Sequence, residues 1–172
     1  MISLALLLLR LTIGLIFLAH GSQKLFGLFG GGGLSGTSQM MGHIGLQPAK
    51  LWGTLSALGE FVGGLLLVLG WFTPLAALLI IAIMLVAIAR VHWSKGFWNS
   101  KGGFEFNLAL LMMAVTLGLA GAGAYSLDAL LVWSAFNAVL FLIGLLIVIL
   151  LVLALHFVFI PWSSKRGHPL GA

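Results

Sequence analysis

Residues 51–70 read LWGTLSALGEFVGGLLLVLG, an apolar segment with one carboxylate, Glu60, at its middle. At ~1.5 Å per residue a helix of this length covers the ~30 Å hydrocarbon core of a bilayer. Gly53, Ala57, Glu60 and Gly63/Gly64 recur at three- and four-residue spacing. Such a stripe of small residues lets a second helix approach closely and carries the carboxylate into the contact. A lone carboxylate at bilayer depth costs on the order of 3 kcal/mol, so Glu60 needs a partner and marks a candidate site.

One partner is visible in the first apolar segment, roughly 2–19, which holds Arg10. If the two segments are antiparallel neighbours, Arg10 lies about eight residues from one membrane face and Glu60 about ten from the same face, a mismatch of about 3 Å. The expectation is an Arg10–Glu60 pair. It serves either as an ion pair that fixes helix register or as a pair of catalytic, proton-handling groups.

Composition supports the membrane reading. Of 172 residues 62% are hydrophobic and 6% charged, about a quarter of the charge share of a soluble domain. One integral membrane domain follows, with the lipid bilayer as its first partner. Net charge is +5, eight Lys/Arg against three acids; in a membrane chain that excess is topological and does not point to nucleic acid. Cysteine is absent, which excludes an intrachain disulfide relay, an iron–sulfur cluster, covalent c-type haem and a thiolate nucleophile. The N-terminus has no basic n-region and no A-x-A site, and its arginine falls within the apolar run. It reads as a retained helix, not a cleaved signal.

Five runs are long enough to span, roughly 2–20, 51–70, 73–91, 104–121 and 132–160. The predicted fold is all-α and polytopic: a four-helix transmembrane bundle over residues 1–131, then a fifth, peripheral transmembrane helix and a short basic tail over 132–172. Trp52, Trp71, Trp93, Trp98, Trp133 and Trp162 fall at predicted helix ends, where indole prefers the interface. Thr73-Pro74 predicts a tight turn joining helices two and three as a hairpin. Helix five is almost uniformly aliphatic, which suits a lipid-facing position. In the long loop of residues 21–49, Gly30 to Gly33 predict an irregular stretch. Ser35 to Leu46 predicts a short interfacial helix with Met40, Met41 and Ile44 on one side. Lys24, Lys50, Lys95, Lys101, Lys165 and Arg166 lie on one side, with Arg90 close by, and only Asp128 lies in the loops opposite. The positive-inside rule then places the C-terminus in the cytoplasm and the N-terminus outside a bacterial inner membrane.

All five histidines, His20, His43, His92, His156 and His168, fall on or near the basic side. His20 ends the first helix, His92 the third, and Glu105 begins the fourth. With Lys24 they can converge at one mouth of the bundle. The reading is either an interfacial polar rim or a site for a polar head and a proton, such as a quinone head. Gly31, Gly33 and Gly36 formally spell G-x-G-x-x-G, but no strand precedes them and no acid follows at the required distance, so dinucleotide binding is rejected. His20 and His92 could ligate haem from two helices. Interfacial histidines seldom do, so neither haem nor a metal site is expected.

The order of these residues resembles the DoxX family of small bacterial membrane proteins. The resemblance runs through LLLRLTIGLIFLAHGSQKLFG (7–27), GLSGTSQMMGHIGLQPAKLWGTLSALGEFVGGLLLVLG (33–70), the VHW…GF…GGFEFNLALL block (91–111) and YSLDALL (125–131). It covers roughly residues 5–131, and its polar positions map onto Arg10, His20, Lys24, Glu60, His92 and Glu105. Helix five departs from the family's four-helix pattern. The resemblance implies an oxidoreductase-associated membrane subunit. For this chain that means a quinone-like lipid and proton site beside a partner oxidoreductase that holds the electron carrier. The alternative is a non-enzymatic scaffold or lipid-binding protein with a structural Arg–Glu pair. Assembly as a homo-oligomer is left open.

Overall fold

The computed structural model describes residues 1–131 and 138–164, with side chains described through residue 157. The expectations placed on Trp133, Lys165, Arg166 and His168 lie outside those residues, and that on Trp162 lies beyond the described side chains. Helix α1 (Ile2–Phe26) ends at Gly27, whose left-handed φ of 71° turns the chain while its N–H bonds the Gln23 carbonyl. The helix therefore continues past the apolar run, through His20, Ser22, Gln23 and Lys24. A glycine cap sets its end, not the fall in hydropathy.

A 3₁₀ turn (Leu28–Gly30) leads into α2 (Gly33–His43). The glycine run is thus irregular only over its first part, and a helix starts within it. α2 packs on α3 and α1, burying Thr37 and Met41, while Met40 stays exposed. The expected side of Met40, Met41 and Ile44 is split, because residues 37 and 41, one turn apart, form the contact face. Then follow α3 (Ala49–Leu69) and α4 (Thr73–Ala87), which runs on into a π-helical turn, Ile88–His92. α5 (Glu105–Ala120), the four-residue α6 (Leu127–Leu130) and α7 (Ala138–Ser164) complete the chain. No strand occurs among the described residues.

α1, α3, α4 and α5 close a four-helix bundle: α1 packs on α3, α3 on α4, α4 on α5, and α5 returns to α1. Ile13, Phe17, Leu67, Ile80, Ile81, Leu110 and Leu117 fill its centre. Among the described residues four helices are long and apolar enough to cross a membrane: Ile2–Phe26, Ala49–Leu69, Thr73–Lys95 and Ala138–Phe157. α5, read from the sequence as a full span, has 16 residues and reaches only about 24 Å; its role is to complete the bundle. α7 touches the bundle along one edge, with Phe141 seated on Gly118 and Leu78 against Gly144. Most of its remaining side chains, among them Val139, Leu142, Leu146, Leu150 and Leu153, are exposed aliphatics. An aliphatic helix exposed almost all round belongs in lipid.

The described tryptophans Trp52, Trp71, Trp93 and Trp98 all sit at helix ends or in the turns beside them. At one end of the bundle Gly123 touches Ser3 and Leu6, so the start of α1, the α3–α4 turn and the 121–131 loop gather there. Asp128 fastens that loop. Its Oδ1 accepts from the Phe72 N–H at 2.8 Å and its Oδ2 from the Thr73 N–H at 3.0 Å, while its own N–H donates to the Gly70 carbonyl at 2.9 Å. A carboxylate on the first N–H groups of α4 is the favourable charge for a helix N-terminus. The opposite end collects Lys24, Lys50, Lys95 and Lys101.

Candidate functional site

The register of α1 on α3 is set where backbones touch. A Cβ on Gly14 would meet the Val68 nitrogen at 2.9 Å and the Gly64 carbonyl at 3.0 Å. One on Gly64 would meet the Leu18 nitrogen at 2.5 Å, and one on Gly21 would collide with the backbone of Phe61. The small-residue stripe read from α3 is therefore real, with Gly53, Ala57, Glu60, Gly63 and Gly64 all buried. Glycines on α1 meet it, so the two antiparallel helices interlock.

This register decides the partner of Glu60. Gly14 faces Val68 and Gly21 faces Phe61, so Arg10 stands level with the turn after α3, and Glu60 stands level with Ser22 to Lys24. The ion pair is Lys24–Glu60, Nζ to Oε1 at 2.5 Å, with the Ser56 hydroxyl 3.4 Å from the same ammonium. The expected Arg10–Glu60 pair does not form. That expectation counted inward from the ends of two apolar runs as though they were flush. In fact α1 overruns its apolar stretch at the basic end and carries Lys24 back to the carboxylate.

The pair is asymmetric. The Glu60 side chain is 4% exposed and that of Lys24 23%. The second carboxylate oxygen, Oε2, is buried and has no hydrogen-bond partner among the described residues. The lysine reaches water on one side while the carboxylate stays in the helix seam. α2 covers the site: Thr37 Oγ1 donates to the Gly33 carbonyl at 2.8 Å and approaches the Lys24 carbonyl at 3.3 Å. Ser38 lies against Gly53, where a Cβ would come within 2.8 Å of its hydroxyl.

Arg10 is 1% exposed. Its Nη2 donates to the Tyr125 carbonyl at 2.5 Å, and its guanidinium fills the place a side chain at Gly70 would take. Nε and Nη1 have no partner among the described residues. Arg10 thus belongs to the Asp128 end of the bundle, where it ties α1 to the 121–131 loop.

The other candidates share the basic end with Lys24. His20 is exposed one turn before Lys24. The Nδ1 of His92 lies 2.7 Å from the Gly102 carbonyl; because a carbonyl only accepts, Nδ1 carries a proton in this contact. Glu105 opens α5, with its N–H donating to the Phe97 carbonyl at 2.9 Å. No hydrogen bond or ion pair among the described residues joins His20, His92 or Glu105 to the Lys24–Glu60 pair. Sequence reasoning missed Ser56, Thr37 and the capping role of Asp128. The Ser126 cap beside Asp128, whose hydroxyl accepts from the Ala129 N–H, was a readable signal for the last of these.

Comparison with known proteins agrees with this architecture. The DoxX family profile matches residues 5–93, which carry α1 to α4 with the π turn and the Lys24–Glu60 pair. "Putative oxidoreductase CatD" of Bacillus subtilis is 34% identical over 122 residues, 71% of this chain and 83% of that protein. The inner membrane protein YphA of Escherichia coli is 30% identical over 132 residues, 72% of this chain and 87% of that one. The uncharacterized membrane protein Rv3486 of Mycobacterium tuberculosis is 29% identical over 131 residues, 69% and 76% of the two chains. No solved structure gives a significant match. With the family profile spanning more than half of the chain and a relative above 30% identity over most of it, this multi-span membrane protein belongs to the DoxX family.

Proposed function

We propose that the protein is a membrane subunit that binds a quinone-like lipid and handles protons beside a partner oxidoreductase. The observation that carries this reading is the Lys24–Glu60 pair: a carboxylate buried in a glycine-lined helix seam, with one oxygen unpartnered among the described residues and its cation reaching toward the basic end. An ionisable group at this depth is a functional position by default. The name of the Bacillus subtilis relative points the same way. In this reading His20, Lys24, His92 and Glu105 supply the polar mouth that meets the quinone head. Reduction of a quinone to a quinol takes two electrons and two protons. The partner supplies the electrons, and Glu60 and the histidines pass protons from the basic face, which is cytoplasmic, with the N-terminus outside. Residues 1–131 form the working bundle and 132–172 an appended helix and tail.

The buried glycine-lined contact of Glu60 also favours a second reading, a scaffold in which Lys24–Glu60 only fixes helix register. Purification from native membrane, with mass spectrometry of the bound lipids and proteins, separates the two. A quinone and an oxidoreductase are expected with the wild-type chain, with His20→Ala and His92→Ala folded and inserted but without quinone-dependent turnover. Normal turnover in both variants would favour the scaffold.

A further inference from the structure

Arg90 stands in the π turn at the end of α4. Its Nη2 donates to the Leu155 carbonyl of α7 at 2.8 Å, the one hydrogen bond its side chain makes among the described residues. A guanidinium carries five N–H donors and a permanent charge. Among the described residues no carboxylate pairs with it. The chain has three acids: Glu60 is held by Lys24, Asp128 caps α4 at the far end, and Glu105 opens α5 without an ion pair to Arg90. Arg90 lines a cleft between α4 and α7 together with His156, Trp52, Val86, Ala89 and Val152. The Nδ1 of His156 is buried and has no partner among the described residues. The π turn adds a residue to one helical turn, a distortion frequent at functional sites. Here it divides two neighbours: Arg90 goes to α7 and His92 to the Gly102 carbonyl.

We infer that this cleft is a binding site for an anionic phospholipid. The phosphate pairs with the spare donors of Arg90, and an acyl chain follows the apolar wall of Val86, Ala89 and Val152 and the exposed aliphatic face of α7. A lipid fits better than a soluble anion because the cleft is walled by apolar side chains and lies on the edge of the bundle that α7 exposes to hydrocarbon. The charge matches as well: this is the lysine-rich end of the protein, where acidic headgroups are drawn. The site does not depend on quinone binding.

Native mass spectrometry of the full chain in neutral detergent tests it, with phosphatidylglycerol, phosphatidylcholine of the same acyl chains, and inorganic phosphate as probes. The wild type should retain one phosphatidylglycerol with a preference over phosphatidylcholine of about ten-fold, the scale of one charge-assisted bidentate contact. Arg90→Gln should abolish that preference, and Arg90→Lys should keep part of it. Lys101→Gln, on the same face but outside the cleft, should leave it intact. Equal retention of the two lipids by the wild type overturns the inference without reference to any variant. So does an undiminished preference in Arg90→Gln, or displacement of the lipid by equimolar inorganic phosphate.

Discussion

Lys24 crosses the α1–α3 seam to Glu60 from two turns beyond Phe17, whereas Arg10, on the same helix, reaches the opposite end of the bundle and the Tyr125 carbonyl. The only two charged side chains of α1 besides its terminus thus brace different ends of the molecule.

The asymmetric exposure of the pair gives its two halves different costs. Lys24→Met leaves a buried carboxylate uncompensated, a loss on the order of 3–5 kcal/mol. Glu60→Gln leaves an ammonium that can extend toward water, so its loss should be smaller. Lys24→Met/Glu60→Gln should recover part of the Lys24→Met loss. Thermal unfolding in detergent measures all three, and strictly additive losses would show that the two groups are not coupled.

Arg10 and Glu60 should behave as independent sites. Arg10→Gln loses the bond to Tyr125 and strands the packing against Gly70, and it should destabilise on its own account. In the double variant Arg10→Gln/Glu60→Gln the losses should add within about 0.5 kcal/mol, as for groups with no shared partner. A coupling well above that would restore a direct link between them.

The glycines of the seam should be far less tolerant than one on α2. Gly21→Ala drives a methyl into the Phe61 backbone and Gly64→Ala into that of Leu18, so both should separate α1 from α3 and break the Lys24–Glu60 contact. A Cβ added at Gly36 would meet nothing within 4 Å. Gly36→Ala should therefore gain up to about 1 kcal/mol from helix propensity. Thermal stability of the three variants checks the order, and a Gly21→Ala protein as stable as the parent would refute the register.

Asp128→Ala removes the acceptor from the Phe72 and Thr73 N–H groups. A loss of about 1–2 kcal/mol is expected, with faster hydrogen exchange at the start of α4. Unchanged exchange at Phe72 and Thr73 would mean that these bonds do not hold the turn.

Topology is open to clean labelling because the chain has no cysteine. A cysteine at Ser100 should react only from the cytoplasmic side of oriented membranes, and one at Ser126 only from outside. The reverse pattern would invert the orientation.

Hydropathy and residue spacing, which are local properties, were enough to determine much of this protein. They specify the all-α membrane fold, the hairpin at Thr73-Pro74, the aromatic helix ends, the small-residue stripe that carries Glu60 and the peripheral place of the last helix. Each follows from what a stretch of side chains can bury in hydrocarbon. The partner of Glu60 was not legible in this way. It depends on the axial offset of α1 against α3, which the contacts of Gly14, Gly21 and Gly64 set to within a residue or two. Apolar run lengths do not report that offset, because α1 ends at the Gly27 cap and not where its apolar run ends. The same holds for Asp128 and Arg90. Each acts on a backbone or a helix far away in the chain, and only the packed bundle brings those groups together.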